Sequence, residues 1–252
     1  MKGTAENMTA KRKELLSQTA YEAIRDMIIA HRFAPGLRVN VEELGRELGV
    51  SRPPVWEAIR RLEQEGVLRK IPNRGVFMIK NSPEKLFEQV QMRGPLDALA
   101  GCLACRRIDS RTLSRMSRCL TSQLEAIENG DVGTYSAADL QFHSLIYEAS
   151  GNGSLRDLFG SIILRMTTLP PHLDILSRLP AVLATHQEML EGIASGDEER
   201  VRVAVERHTE IILSHLQSEI LARTDREKAI KGIKMRLSSG ISNIRRRSKS
   251  EQ

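Results

Sequence analysis

The order of patterns in this sequence predicts a mainly α-helical protein in two parts: an N-terminal winged helix-turn-helix, then an all-α helical bundle. Three observations carry that prediction. Helical apolar spacing recurs three times before residue 65, two short β-prone runs follow at 67–71 and 76–79, and from 84 to about 223 helical patterns alternate with short breaks. With 252 residues, 40% of them hydrophobic, the chain is long enough to bury a sizeable core, and two modest domains are favoured over one large one.

Residues 1–14 are polar, lysine-rich and without periodicity, and read as a flexible lead-in. Over 15–31, Leu16, Ala20, Ile24, Met27 and Ile28 share one helical face, which Ala34-Pro35-Gly36 ends. Val41, Leu44 and Leu48 mark a short helix stopping at Gly49, Ser51 is placed to cap the next, and Val55, Ile59 and Leu62 line that helix. Between the β-prone runs, Pro72-Asn73-Arg74-Gly75 has hairpin-turn chemistry. Helix, helix, helix, hairpin is the winged order, and the domain is set at 15–80.

Asn81-Ser82-Pro83 marks a boundary and a helix start. About six helices are expected over 84–223, with breaks near Asp109, Asn129-Gly130, Gly151-Asn152-Gly153, Leu169 to Pro180 and Ser195-Gly196-Asp197. Pro95, after Gly94, should kink or break the first of them. Residues 225–252 are rich in Lys, Arg and Ser with little apolar pattern and read as a disordered basic tail.

Charge is divided along the chain. Residues 1–80 hold 15 Lys and Arg against 10 Asp and Glu, 81–222 hold 13 against 19, and 223–252 hold 10 against 3. A basic front on an acidic body suggests that the front meets nucleic acid, since phosphate neutralisation supplies non-specific affinity; ordinary surface solvation is the plainer alternative. No apolar run reaches membrane-spanning length and the first apolar stretch is broken by Glu22, Arg25 and Asp26, so a soluble, cytoplasmic protein without a membrane partner is expected. Cys102, Cys105 and Cys119 are too few for a disulfide framework, and the Cys102–Cys105 pair sits in an apolar helical stretch as small core side chains.

In a helix-turn-helix the second helix offers its N-terminal turn to base edges in the major groove. Here that turn is Ser51-Arg52-Pro53-Pro54. A guanidinium at Arg52 can pair bidentately with guanine, and Ser51 can cap the helix and touch a phosphate. The first turn tolerates Pro53 and Pro54 because it has no use for their missing donors. Arg60, Arg61, Lys70 and Arg74 are candidates for the phosphate backbone, Arg74 and Gly75 at the wing tip. Phe33-Ala34-Pro35-Gly36, Gly49-Val50-Ser51-Arg52, Pro54-Val55, Glu57-Ala58, Arg60-Arg61-Leu62, Glu65-Gly66 and the Asn73-Arg74-Gly75 wing together resemble the DNA-binding domain of the GntR family of regulators. The resemblance implies a double-stranded DNA partner. Trp56 stands where that family usually carries a DNA-contacting arginine, and Glu42 where it is often basic. Trp56 either meets sugar or a thymine methyl, or lies against the wing.

A second constellation lies in the helical part. Asp139 and His143, four apart, project from one helix face at a chelating spacing. His186 and His208 each fall on the apolar stripe of their own helix. Three inward imidazoles and a carboxylate need partners, which a shared divalent ion would supply; taken singly, each histidine is a core residue bonded to backbone. Residues 84–222 resemble the FCD ligand-binding domain of the FadR-like branch of that family, and its metal-ligand pattern falls on Asp139, His143, His186 and His208, with Phe142 and Ser150-Gly151-Asn152 beside it. Mixed N and O ligands suit zinc, nickel or manganese. A cationic site of this kind attracts anions, so a small carboxylate effector is expected, with Arg93 as a second clamp or, equally, in an ordinary ion pair. His31, His172 and His215 are left as surface or core histidines, His215 being the substitute ligand because it follows His208 by seven residues on the same stripe. The resemblance also implies a homodimer on a near-palindromic operator. The rival readings are a metal-dependent enzyme built on the same four residues, for which no general acid or base stands out nearby, and a regulator that senses the metal itself.

Overall fold

The computed structural model describes the backbone of residues 2–167 and 178–250, and side chains from 11 to 231 except 13, 168–177 and 229. The helices are α1 (Lys2–Ile29), α2 (Val41–Glu47), α3 (Arg52–Gln64), α4 (Pro83–Cys105), α5 (Ser110–Asn129), α6 (Val132–Ala149), α7 (Gly153–Met166), α8 (Leu179–Ser195) and α9 (Glu198–Ser250). Three strands, β1 (Arg38–Val39), β2 (Leu68–Ile71) and β3 (Gly75–Met78), form an antiparallel sheet in the order β1-β3-β2. The two-residue β1 escaped the sequence reading because so short a run shows no alternation.

In the head, Ile24 and Ile28 of α1 and Val55, Ile59 and Leu62 of α3 pack with Val76 and Met78 of the sheet into one apolar core. The wing pairs Leu68 with Met78 and Ile71 with Gly75, so its turn is Pro72-Asn73-Arg74. Asn73 at φ 58° and Gly75 at φ 107° take the left-handed values that this turn demands. Four helices start on side chains that accept a backbone N–H three residues on: Asn40, Asp109, Asp131 and Asn152. Gly130 and Gly196, both left-handed, close α5 and α8.

Behind the head, α4 and α9 run against each other and close on α5, α6 and α8. Two glycines set how tightly: a Cβ on Gly94 would stand 2.8 Å from Thr209 Oγ1, and one on Gly101 2.5 Å from a Val201 methyl. That approach brings Arg93 and Asp97 level with His208. α7 bridges the parts, since Leu164 belongs to the head's core and Arg165 Nε donates to the Glu65 carbonyl at 3.0 Å.

Several expectations need correction. The backbone is helical from Lys2, where a flexible lead-in was expected over 1–14, and α9 continues to Ser250 through the expected disordered tail. Both stretches lack proline, and Ala, Glu, Lys, Arg, Met and Leu extend a helix already nucleated by its packed portion; a missing apolar stripe argues against packing, not against helix. Pro95 lies inside α4 without breaking it. The expected break at Leu169–Pro180 begins among residues outside those described, as does His172.

Candidate metal centre and DNA-reading face

α3 turns Val55, Ala58, Ile59 and Leu62 inward, which leaves Arg52, Pro53, Trp56 and Arg60 exposed along the opposite face. Ser51 precedes it in extended conformation and its hydroxyl makes no cap bond. Lys70, Asn73 and Arg74 are exposed on the wing beside that face, with Gly75 half-buried. The Lys70 ammonium sits 4.9 Å from the centroid of the Trp56 ring, so the indole lies against the wing while keeping 39% of its surface exposed. Arg52 pairs with Glu42 at 2.8 Å and Arg60 with Glu57 at 2.5 Å. Exposed pairs of this kind are weak and readily exchanged for a phosphate or a base. Arg61 is placed elsewhere: it stacks 3.8 Å over the Tyr21 ring and bonds Gln18, holding α3 to α1.

The inward histidines converge. His143 of α6, His186 of α8 and His208 of α9 are all buried, and one nitrogen from each lies within 4.8 Å of the other two. Asp139 Oδ1 stands 3.4 Å from His186 Nε2 and 3.9 Å from His143 Nε2. The outer nitrogens of His186 and His208 are engaged. Thr185 spends its hydroxyl proton on the Val182 carbonyl and so accepts from His208 Nδ1 at 3.1 Å; Gln123 Oε1 accepts from His186 Nδ1 at 2.8 Å. Both imidazoles are thereby set in the tautomer whose Nε2 lone pair is free. His143 turns Nδ1 toward Asp97 Oδ2, 3.7 Å away. Both ring nitrogens of His143 and Nε2 of His186 are buried without hydrogen-bond partners.

Burial, reinforced by the Arg93 charge, holds all three histidines far below the ordinary imidazole range, His186 at about 3. They are neutral at pH 7. Burial also raises the Asp139 carboxyl to about 6, with Arg93 pulling the other way; because the side chain keeps 26% of its surface exposed, ionisation at pH 7 remains accessible. Neutral imidazoles with inward lone pairs beside an ionisable carboxylate are the donor set a divalent cation takes, and the unpartnered nitrogens fit it.

Arg93 is 6% exposed. Burial works to lower its pKa, but Asp97, Asp139 and Tyr147 outweigh that and the guanidinium stays charged. Asp97 meets Nε at 3.0 Å and accepts from the Tyr147 hydroxyl at 2.7 Å, while Arg93 Nη2 has no partner. Both alternatives weighed for this residue are thus present: an ion pair on one side and a free donor on the other. His215 is buried on α9 two turns beyond His208 and does not join the cluster; His31 is exposed at the end of α1. Cys102 and Cys105 donate weakly to the carbonyls of Glu198 and Gly192.

Residues 16–78 match the family model for bacterial regulatory proteins of the gntR family, and residues 88–210 match the FCD domain. The chain belongs to the GntR family. Among relatives of this GntR protein, the HTH-type transcriptional regulator YdhC of Bacillus subtilis is 28% identical over 203 residues, covering 78% of this chain and 89% of that one. The Nta operon transcriptional regulator of Aminobacter aminovorans is 33% identical over 138 residues, covering 54% of this chain and 64% of that one. The solved structure of E. coli McbR/YncC shares the fold, with TM-score 0.72 at 21% identity over 81% of this chain and 98% of that one. The chain is therefore a DNA-binding, ligand-responsive transcription regulator of the GntR type with an FCD domain, and not an enzyme. No helix among the described residues is long and apolar enough to cross a membrane.

Residue reasoning missed Asp97, Gln123, Tyr147 and Thr185. Spacing alone offered a signal for two of them: Asp97 follows Arg93, and Tyr147 follows His143, by one helical turn.

Proposed function

We propose that this GntR regulator holds a divalent cation on Asp139, His143, His186 and His208 and answers to a small carboxylate bound beside it. The observation that carries the reading is the cluster of three buried imidazole nitrogens within 4.8 Å, with a carboxylate oxygen 3.4 Å from one of them. Zinc, nickel and manganese all suit these donors. When bound, the cation supplies positive charge and a coordination position for an anionic oxygen. Arg93 supplies the second hold on the carboxylate through its unpartnered Nη2, and Asp97, fixed by Tyr147, keeps the guanidinium oriented.

On the DNA side, Arg52 reads a base, Ser51, Arg60, Lys70, Asn73 and Arg74 hold the backbone, Pro53 and Gly75 shape the two approaches, and Trp56 buttresses the wing. Two copies related by a two-fold axis bind a near-palindromic operator. A contiguous series of contacts joins effector site to head. Tyr147, bonded to Asp97, stacks on Phe159 of α7 with ring centroids 4.2 Å apart, and α7 ends in Leu164 and Arg165 against the head. A carboxylate that draws Arg93 from Asp97 acts on the start of that series, provided it binds the two states of the head with different affinity.

The test is a thermal-shift screen of the full chain against small carboxylates with and without chelator, followed by binding to a duplex selected from a random library. A true effector at a hundred times its Kd stabilises the protein by about 2.7 kcal/mol. That gain should vanish with chelator, and the effector should change DNA affinity. Carboxylate binding indifferent to chelator, or binding that leaves DNA affinity untouched, refutes the reading. DNA binding that follows zinc alone, without any acid, makes the metal the signal.

A further inference from the structure

The last part of α9 has no role in either site above. The helix runs antiparallel to α4: a Cβ on Gly101 would meet Val201 and one on Gly94 would meet Thr209, Leu86 and Val90 pack with Leu216, and Arg223 pairs with Glu84 at 3.0 Å. Glu84 stands at the start of α4, which begins just after β3 ends at Met78, so Arg223 lies at the level where the chain passes from head to bundle. From there α9 continues to Ser250, about 40 Å farther. Every described side chain from 225 to 231 is exposed, so the helix has parted from the bundle there. α3 leads away from the bundle as well. Arg165 of α7 holds the Glu65 carbonyl at the C-terminal end of α3, which leaves the Arg52 turn as the far end, about 18 Å along the axis. The extension of α9 is long enough to cover that reach twice.

Its charge is of one sign. Glu227 lies 3.4 Å from Arg223 and Asp225 3.9 Å from Lys228, and these are the last acids of the helix: residues 229–250 hold seven Lys and Arg and no Asp or Glu. Lys231 with Lys234, and Arg245 with Lys249, are like charges at i,i+3 and i,i+4 spacing, which weakens a helix instead of supporting it. Arg245, Arg246 and Arg247 follow one another in steps of about 100° round the axis, so they cannot all address one base edge. From Lys231 to Lys249 the run covers about 27 Å, too long for a small anion to neutralise. A duplex carries one phosphate charge per ~1.7 Å of its axis and suits cations spread in this way.

We infer that the basic extension of α9 over 229–250 grips phosphates of the duplex that the head reads, adding affinity without adding sequence information. The test is fluorescence anisotropy of the full-length protein from about 50 to 200 mM salt, on the selected operator and on a random duplex of equal length. The variant K231Q/K234Q/R236Q/R245Q/R246Q/R247Q removes charge while keeping good helix formers. It should lower the slope of log K against log salt by about 2 or more, and weaken both duplexes about tenfold or more at the lower salt. The operator preference should stay within about twofold, because phosphate contacts carry no sequence. R245K/R246K/R247K should match the parent protein, since lysine holds a phosphate as a point charge. An unchanged slope in the glutamine variant overturns the inference, as does a lowered slope in the lysine variant. A loss confined to the operator also overturns it, by making the extension a base reader. So does a smaller assembly of the glutamine variant in sedimentation, which would place the extension between copies of the chain. If that variant keeps its slope on DNA but no longer binds phosphatidylglycerol vesicles, the partner is a membrane surface and the inference falls.

Discussion

Between α1, α3 and the sheet, the head's interior is built from Ile24, Ile28, Val55, Ile59, Leu62 and Met78, and Ser17 is its one buried polar side chain among the described residues. Among the described residues of the helical domain, eleven polar or charged side chains are buried, including Arg93, Asp97, Gln123 and four histidines. The head keeps its chemistry on the outside, where a long duplex must reach it, and spends its interior on stability. The helical domain puts its chemistry inside, where a small ligand can be surrounded and where low dielectric strengthens each polar contact. An isolated buried charge is expensive, so such an interior persists only as a network of partners.

The sharpest attempt to break this division is Leu62→Ala, at a fully buried site in the head. It should cost about 2 to 5 kcal/mol and weaken DNA binding with it. Zinc affinity measured by calorimetry should stay unchanged; a parallel fall would show that head and sensor are one energetic unit. In the sensor, Gln123→Leu removes the acceptor that orients His186, and zinc affinity should drop about 10- to 100-fold. Melting temperature in chelator should hold, separating orientation of a ligand from stability.

On the head's outer face, Arg52→Ala should lose about 1 to 3 kcal/mol on the selected operator and relax one base position. Lys70→Ala should instead weaken all duplexes alike and lower the salt slope by about 1. Equal losses on operator and random DNA for Arg52→Ala would remove it from base reading.

A further effect is on pH. Burial holds the three clustered histidines below the 6.5 of a free imidazole, His186 at about 3, so below 6.5 the unfolded chain takes up protons that the metal-free folded chain does not. Stability therefore falls as pH drops through that window. Asp139, raised by burial from 3.8 to about 6, opposes this between those two values, because there the folded form holds the extra proton. The net loss between pH 7 and 6 is about 2 kcal/mol and steepens below, because three imidazoles titrate in the unfolded chain against one carboxyl in the folded one. Urea midpoints in chelator measure it, and a midpoint that rises on acidification contradicts the buried neutral cluster.

How much of this was legible beforehand differs between the two regions. Ser51 before Arg52-Pro53-Pro54, the turn at Asn73-Arg74-Gly75 and the stripe of Val55, Ile59 and Leu62 are local patterns, readable because each depends on a few adjacent residues. Asp139 and His143 were readable together for the same reason. The helicity of 2–14 and 225–250 was not, since neither stretch shows an apolar period sustained along its whole length in the sequence.

From the chain of letters alone came the order of elements, the outward set on α3 and the stripes that turn His186 and His208 inward, all consequences of helix and strand periods acting over short spans. Only the tertiary structure decided which nitrogen of His186 and of His208 is free, that Gln123 and Thr185 hold the outer ones, and that Arg93 divides itself between Asp97 and an open side. Those depend on how five separate helices close on one another, set by contacts such as Gly94 on Thr209 between residues more than a hundred positions apart.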